Sequence, residues 1–161
     1  MFNKFNLIFL TLFKIGSIKY APGTIASLFT CAVFLLLLSI FNFLTIILVT
    51  ILIFFYSFVA INNSYNEFNS EDPQEIVIDE FVGQIFPLIA IPVYETLYPL
   101  PKIYYVIAAF LLFRFFDIIK PFPISYVDNN TKGALGIMLD DIIAGFFTII
   151  TLIIICFFIG G

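Results

Sequence analysis

From Ile25 to Ile61 the chain carries no charged residue, and polar side chains cluster midway at Ser39 to Asn42. A stretch of that length accommodates two bilayer crossings joined by a tight helical hairpin at this cluster. The next segment, Asn62 to Glu80, contains Asn69-Ser70-Glu71-Asp72-Pro73 and reads as a water-exposed acidic loop, with a helix restarting after Pro73. Phe81 to Tyr98 is apolar apart from Gln84 and Glu95, but Pro87 and Pro92 each remove a backbone hydrogen bond. A kinked span or a re-entrant element is expected there. The apolar run Ile103 to Phe113 crosses only if its helix continues through Arg114 and Asp117, with those heads reaching polar surroundings. Pro121, Pro123, Asn129-Asn130, Gly133 and Gly136 mark Asp117 to Asp141 as an irregular polar loop. Ile142 to Ile159 supplies a last crossing of about 27 Å.

These elements predict an all-α polytopic membrane protein of about four to five apolar helices, a single membrane-embedded domain over residues 1–161. The loops around Lys14 to Thr24, Asn62 to Glu80 and Asp117 to Asp141 then share one side. Six of the seven basic residues, Lys4, Lys14, Lys19, Arg114, Lys120 and Lys132, lie on or near it, which makes that side cytoplasmic; Lys102 alone falls outside. No small-residue cleavage site follows the apolar first thirteen residues, so a removable signal peptide is not expected.

Composition agrees with a bilayer setting: 62% of residues are hydrophobic and 11% charged. The net charge of −4 offers no polycationic face to nucleic acid, and no obligate protein partner is implied. The chain has no His, which removes histidine nucleophiles, general bases and imidazole metal ligands. Cys31 and Cys156 lie in apolar runs without metal-ligand or paired spacing and read as small buried hydrophobes. Catalysis must use carboxylates, hydroxyls, Lys, Arg, backbone amides or a metal held by oxygen.

Two segments have the same shape: Ile78-Asp79-Glu80-Phe81-Val82-Gly83 and Leu139-Asp140-Asp141-Ile142-Ile143-Ala144-Gly145. In each, a carboxylate pair is read as opening an apolar helix, with small residues following within about one turn. The N-terminal helix dipole alone favours acidic residues at such a position. The repeated small residues add close backbone approach, which would gather the two pairs at one mouth of the bundle. Carboxylates crowded there repel unless protonated or bridged, and a hard divalent ion such as Mg2+ is the natural bridge. In Arg114-Phe115-Phe116-Asp117-Ile118-Ile119-Lys120-Pro121, the three charges recur every third residue, so a helix lasting that far aligns them on one face. That is either an intrahelical ladder at the membrane boundary or a phosphate clamp built on Arg114 and Lys120. Gly16 to Ser27 is either a turn, with Gly23 in the bend and Thr24 or Ser27 capping the helix, or an anion nest using Lys19, Thr24 and backbone N–H groups.

Together the blocks Ala21-Pro22-Gly23-Thr24-x-x-Ser27, Ile76-Val77-Ile78-Asp79-Glu80-x-x-Gly83, Arg114-Phe115-Phe116-Asp117-Ile118-x-Lys120-Pro121-x-Pro123-Ile124 and Gly136-Ile137-Met138-Leu139-Asp140-Asp141-x-x-Ala144-Gly145 resemble the phosphatidylglycerophosphatase A family of bacterial membrane lipid phosphatases. The four blocks stand in the family's order. The resemblance implies removal of the terminal phosphate of phosphatidylglycerophosphate to give phosphatidylglycerol, a need for Mg2+, and a place in the cytoplasmic membrane. It puts the family's acidic positions on Asp79, Glu80, Asp117, Asp140 and Asp141, and its basic positions on Arg114 and Lys120. Ala26 stands where the family usually has Gly, and Ala134-Leu135 replaces a commoner Gly-rich stretch.

On this reading Asp79, Glu80, Asp140 and Asp141 hold Mg2+, while Arg114, Lys120, Lys19 and Thr24 bind the phosphate of an anionic phospholipid. Asp117 orients the reacting groups or acts as general base. The alternative from another class is a small ion or proton transporter using its membrane-boundary carboxylates. A third reading is a structural membrane subunit, which needs neither a metal nor convergence of the acidic clusters.

Overall fold

The computed structural model describes residues 2–64 and 73–160, and every regular element among them is helical. Glu67, Glu71 and Asp72 of the expected acidic loop lie outside the described residues. Helix α1 (Phe2–Leu10) leads through a 3-10 turn (Ile15–Ser17) to the hairpin α2 (Pro22–Ile40) and α3 (Phe43–Ser64). Then come α4 (Ile78–Ile89), α5 (Ile91–Leu97), α6 (Lys102–Ile119), α7 (Ile124–Asn130) and α8 (Gly133–Gly160).

The hairpin turns at the predicted polar cluster. Asn42 Oδ1 accepts from the Thr45 backbone N–H and from Thr45 Oγ1, both at 2.9 Å, which caps the start of α3. The segment with two prolines is broken, as expected, between α4 and α5 at Ala90. Pro92 sits in the first turn of α5, where its missing donor costs nothing, whereas Pro87 lies inside α4 and leaves the Gly83 carbonyl without its intrahelical donor. Helix α6 does run on through Arg114 and Asp117, and ends where Lys120 takes a left-handed φ of 46° ahead of Pro121.

Two expectations are corrected. The stretch from Asp117 to Asp141 is mostly helical, and α8 begins at Gly133, well ahead of Ile142. Gly133 starts the helix at a left-handed φ of 71°, which glycine adopts freely, and Gly136 lies where an added Cβ would run into the Thr131 carbonyl. In consequence Asp140 and Asp141 do not open their helix but project from about two turns inside it. Three helices, α2, α3 and α8, are long and apolar enough to span a membrane. Helix α6 has 18 residues but carries Lys102, Arg114 and Asp117, and the α4–α5 segment is divided into pieces of 12 and 7 residues.

The bundle is apolar outside as well as inside. Leu52 and Phe158 are largely exposed, while Phe34, Leu88, Tyr94 and Phe113 are buried at its centre. Hydroxyls hidden in the long helices turn back on their own backbone: Thr30 donates to the Ala26 carbonyl, Thr50 to Ile46 and Thr148 to Ala144, each at 2.9 Å. Helix α4 is enclosed by α2, α3, α6 and α8, and its most extensive packing is with α8. An added Cβ on Gly83 would lie 2.8 Å from the Asp141 carbonyl oxygen, and one on Gly145 would lie 2.6 Å from the Gly83 carbonyl oxygen. The carbonyl released by Pro87 is therefore the one that meets Gly145.

Replacing Gly145 by Leu must force α4 and α8 apart. The expected result is a loss of about 1–3 kcal/mol, seen as a lower unfolding temperature in detergent, whereas Ile150→Ala on the exposed side of α8 changes it far less.

Candidate active site

Where α2 and α4 begin and α6 ends, a cavity of about 490 Å3 opens at one end of the bundle. Lys19 and Thr24 reach it from the start of α2, and Asp79 and Glu80 from the first turn of α4. Arg114 and Asp117 come from the last turns of α6, Lys120 from its C-cap, and Asp140 and Asp141 from α8. The nine residues expected to carry the chemistry thus line one space. Six carboxylates line it, against the three cations Lys19, Arg114 and Lys120.

One carboxylate oxygen from each of Asp79, Glu80 and Asp141 lies within 4.8 Å of the other two. At that separation each ionised pair repels by about 3 kcal/mol at an effective dielectric constant of about 20. Burial, reinforced by the neighbouring Glu80, pushes the Asp79 carboxyl well above the usual carboxylate range, and burial also raises Glu80. Both precede the apolar stretch that begins at Phe81. Asp79 Oδ1, Glu80 Oε2, Asp140 Oδ1 and Asp141 Oδ2 are buried without a hydrogen-bond partner. A converging set of hard oxygen donors with unused lone pairs fits a hard divalent cation. Asp140 stands apart from the close triad: its Oδ2 accepts from Lys120 Nζ at 2.7 Å.

Two of the three basic residues, Arg114 and Lys120, are held by carboxylates. Arg114 Nη1 lies 2.6 Å from Asp117 Oδ2 and donates at 3.5 Å to Ser27 Oγ. Lys120 does not extend the Arg114–Asp117 row, because α6 ends before it. Its left-handed backbone turns the side chain to Asp128 at 2.6 Å and Asp140 at 2.7 Å. Burial opposes the Lys120 charge, but the hydrogen bonds to these two carboxylates outweigh it and hold the ammonium above its usual range. Lys19 is exposed and lies 5.6 Å from the centroid of the Tyr20 ring.

At the start of α2 the expected cap is replaced by another arrangement. Ala21 takes the left-handed turn at φ 47°, neither Thr24 nor Ser27 caps the helix, and Ser27 Oγ donates to the Gly23 carbonyl at 2.9 Å. Gly23 is already helical, and a Cβ there would collide with the Glu80 carboxylate, so its bare Cα makes room for that acid beside Arg114. Three residues near the acids had been given no site role. Ser27 was read only as a cap. Asp128 lay in the supposed loop, at no periodic spacing from Lys120. Gln84, one turn beyond Glu80, is fully buried with neither amide atom hydrogen-bonded; its polarity in a stretch otherwise interrupted only by Glu95 is the available signal.

The model of the family described as phosphatidylglycerophosphatase A matches residues 8–156. A Bacteroides thetaiotaomicron protein provisionally named phosphatidylinositol-3-phosphatase is 34% identical over 92% of this chain and 91% of its own length. The Haemophilus influenzae protein named phosphatidylglycerophosphatase A is 37% identical over 86% of this chain and 80% of its own. The Escherichia coli protein of that name is 42% identical over 46% of this chain and 39% of its own. No solved structure matches the chain at a significant level. With a family match along nearly its whole length, the chain belongs to the phosphatidylglycerophosphatase A family and is a membrane phosphatase.

Proposed function

We propose that the protein hydrolyses the terminal phosphomonoester of phosphatidylglycerophosphate, releasing phosphate and phosphatidylglycerol. The reaction requires Mg2+ and takes place at the cytoplasmic face of the bacterial cytoplasmic membrane, within a single domain. The observation that carries this reading is the excess of carboxylates over cations around the cavity, with Asp79, Glu80 and Asp141 close together and each keeping one buried oxygen without a hydrogen-bond partner. A phosphate dianion does not enter a site of that charge unaided, and a divalent ion reverses the balance.

Asp79, Glu80 and Asp141 would hold the ion, with the free oxygen of Asp140 available as a further donor. When bound, the ion offsets charge on the phosphoryl oxygens and lowers the pKa of water at the site. Arg114, oriented by Asp117 and Ser27, presents its guanidinium to the phosphate oxygens. Lys19 and the Thr24 hydroxyl approach from the open side. Lys120, shared between Asp140 and Asp128, offsets part of their charge and leaves a cation in the cavity wall for the phosphate. Asp117, with Oδ2 held by Arg114, uses Oδ1 to orient the attacking water and accept its proton. Six basic residues on or near this side support a cytoplasmic orientation.

Purified protein should release phosphate from phosphatidylglycerophosphate with Mg2+ and lose that activity in EDTA. Phosphatidylinositol 3-phosphate, the substrate named for one relative, is the comparison; faster turnover of it would displace the proposed substrate. Asp141→Asn should lower kcat at least a thousandfold while the protein elutes as folded, and should abolish the Mg2+-dependent rise in unfolding temperature; wild-type activity would remove Asp141 from the site. Because Asp79 and Glu80 titrate above their unfolded values, they bind protons on folding. Metal-free protein should therefore lose stability as pH rises from about 4 toward neutrality, and Mg2+ should flatten that slope in thermal melts.

A further inference from the structure

The cavity is walled by polar side chains and by Ile76, Ile118 and Ile137. Ile76 and Ile137 are buried, at 3% and 7% exposure, but Ile118 is 68% exposed. Among the described residues, Ile118 is the one large apolar side chain that belongs both to the cavity wall and to the outer surface. It also ends a row. Tyr104, Ile107, Leu111, Phe115 and Ile118 follow one another at spacings of three or four along α6, and each is exposed by half or more. Residues so spaced lie on one helix face, so a continuous apolar track runs the length of α6 and finishes at the cavity. Arg114 lies one turn before Ile118 and also faces the cavity, with Asp117 between them. The end of the track therefore sets hydrocarbon beside a guanidinium.

We propose that the phospholipid substrate enters sideways from the bilayer over Ile118, with an acyl chain along the Tyr104-to-Ile118 face of α6 while its phosphomonoester turns inward past Arg114. This rests on the lipid phosphatase reading above and adds the route by which a lipid, as opposed to a soluble phosphoester, reaches the carboxylates. The charge order fits a single occupant with an apolar tail and an anionic head. Ile119, at the same depth and 58% exposed, does not line the cavity and serves as the neighbouring control.

The test compares wild type, Ile118→Asn and Ile119→Asn on long-chain phosphatidylglycerophosphate in vesicles and on its water-soluble dibutanoyl analogue. Ile118→Asn should raise KM for the vesicle substrate about tenfold at unchanged kcat and leave the soluble analogue unaffected, while Ile119→Asn behaves as wild type. Equal losses on both substrates, equal effects of both variants, or no effect of Ile118→Asn overturns the route. A second arm reads occupancy without turnover: wild-type protein in vesicles containing a phosphatidate with a photoreactive acyl chain. Label competed by excess phosphatidate should concentrate between Leu111 and Phe122. Competed label spread equally over the exposed faces of α2, α3 and α8, or no competed label, overturns the proposal. Competed label at α6 without hydrolysis of any lipid phosphate would instead defeat the phosphatase reading and leave the lipid route standing.

Discussion

In a bundle whose outer surface is as apolar as its core, helices gain little by hiding hydrocarbon from lipid, so α4 and α8 are held by the closeness of their backbones. That closeness depends on Gly83 and Gly145, and it has a chemical consequence. The backbone group that Gly83 meets is the carbonyl of Asp141 itself. Asp79 and Glu80 lie one turn before Gly83, so the crossing that joins the helices also presses three acids together. Packing and electrostatic repulsion oppose each other at one contact. A cation between the acids would relieve the repulsion without loosening the packing, which would couple metal binding to the rigidity of the fold.

The two other cations at the heart of the cavity are each tied to carboxylates outside the triad. Arg114 is matched to Asp117, and Lys120 to Asp140 and Asp128, through ion pairs of 2.6–2.7 Å. These pairs are partly buried, and breaking one leaves its partner uncompensated in a space that is already acidic. Asp140 and Asp141 illustrate the sorting. They are adjacent in sequence, yet one is tied to an ammonium while the other joins the triad. Successive helical residues diverge by about 100°, which sends neighbouring side chains to different partners.

Much of this was legible because lipid imposes few solutions on a backbone. The charge-free run with polar residues at Ser39 to Asn42 required a hairpin, and Pro87 with Pro92 required a broken segment; both are present. The acidic and basic residues were identifiable because charges are rare in so apolar a chain. The start of α8 was not legible, since Gly133 and Gly136 have the local character of breakers, and only the left-handed φ at Gly133 and the approach of Gly136 to Thr131 explain a helix beginning there. The direction of Lys120 depended on a left-handed residue at a helix end, which spacing does not reveal. Asp128 and Ser27 act through partners at separations of 8 and 87 residues, and no local pattern encodes such contacts.

The placement of groups on the helices further separates what must be rigid from what must admit a ligand. Asp79 and Glu80 ride on α4, where Phe81, Val82, Gly83, Gln84 and Ile85 are buried in succession, so the helix has no free face on which to shift. Asp141 projects from the neighbouring helix at the point of closest contact. Arg114, by contrast, stands on a helix with one face to the cavity and another to the outside, and Lys19 lies on the exposed approach to α2. On the proposed reading, groups that would fix a small ion need spacing constant to a fraction of an ångström, and the enclosed pair of helices offers it. Groups that receive a bulky amphiphile need an open side. Exchanging these assignments would place the carboxylates on a face that lipid can disturb and the guanidinium where no headgroup could reach it.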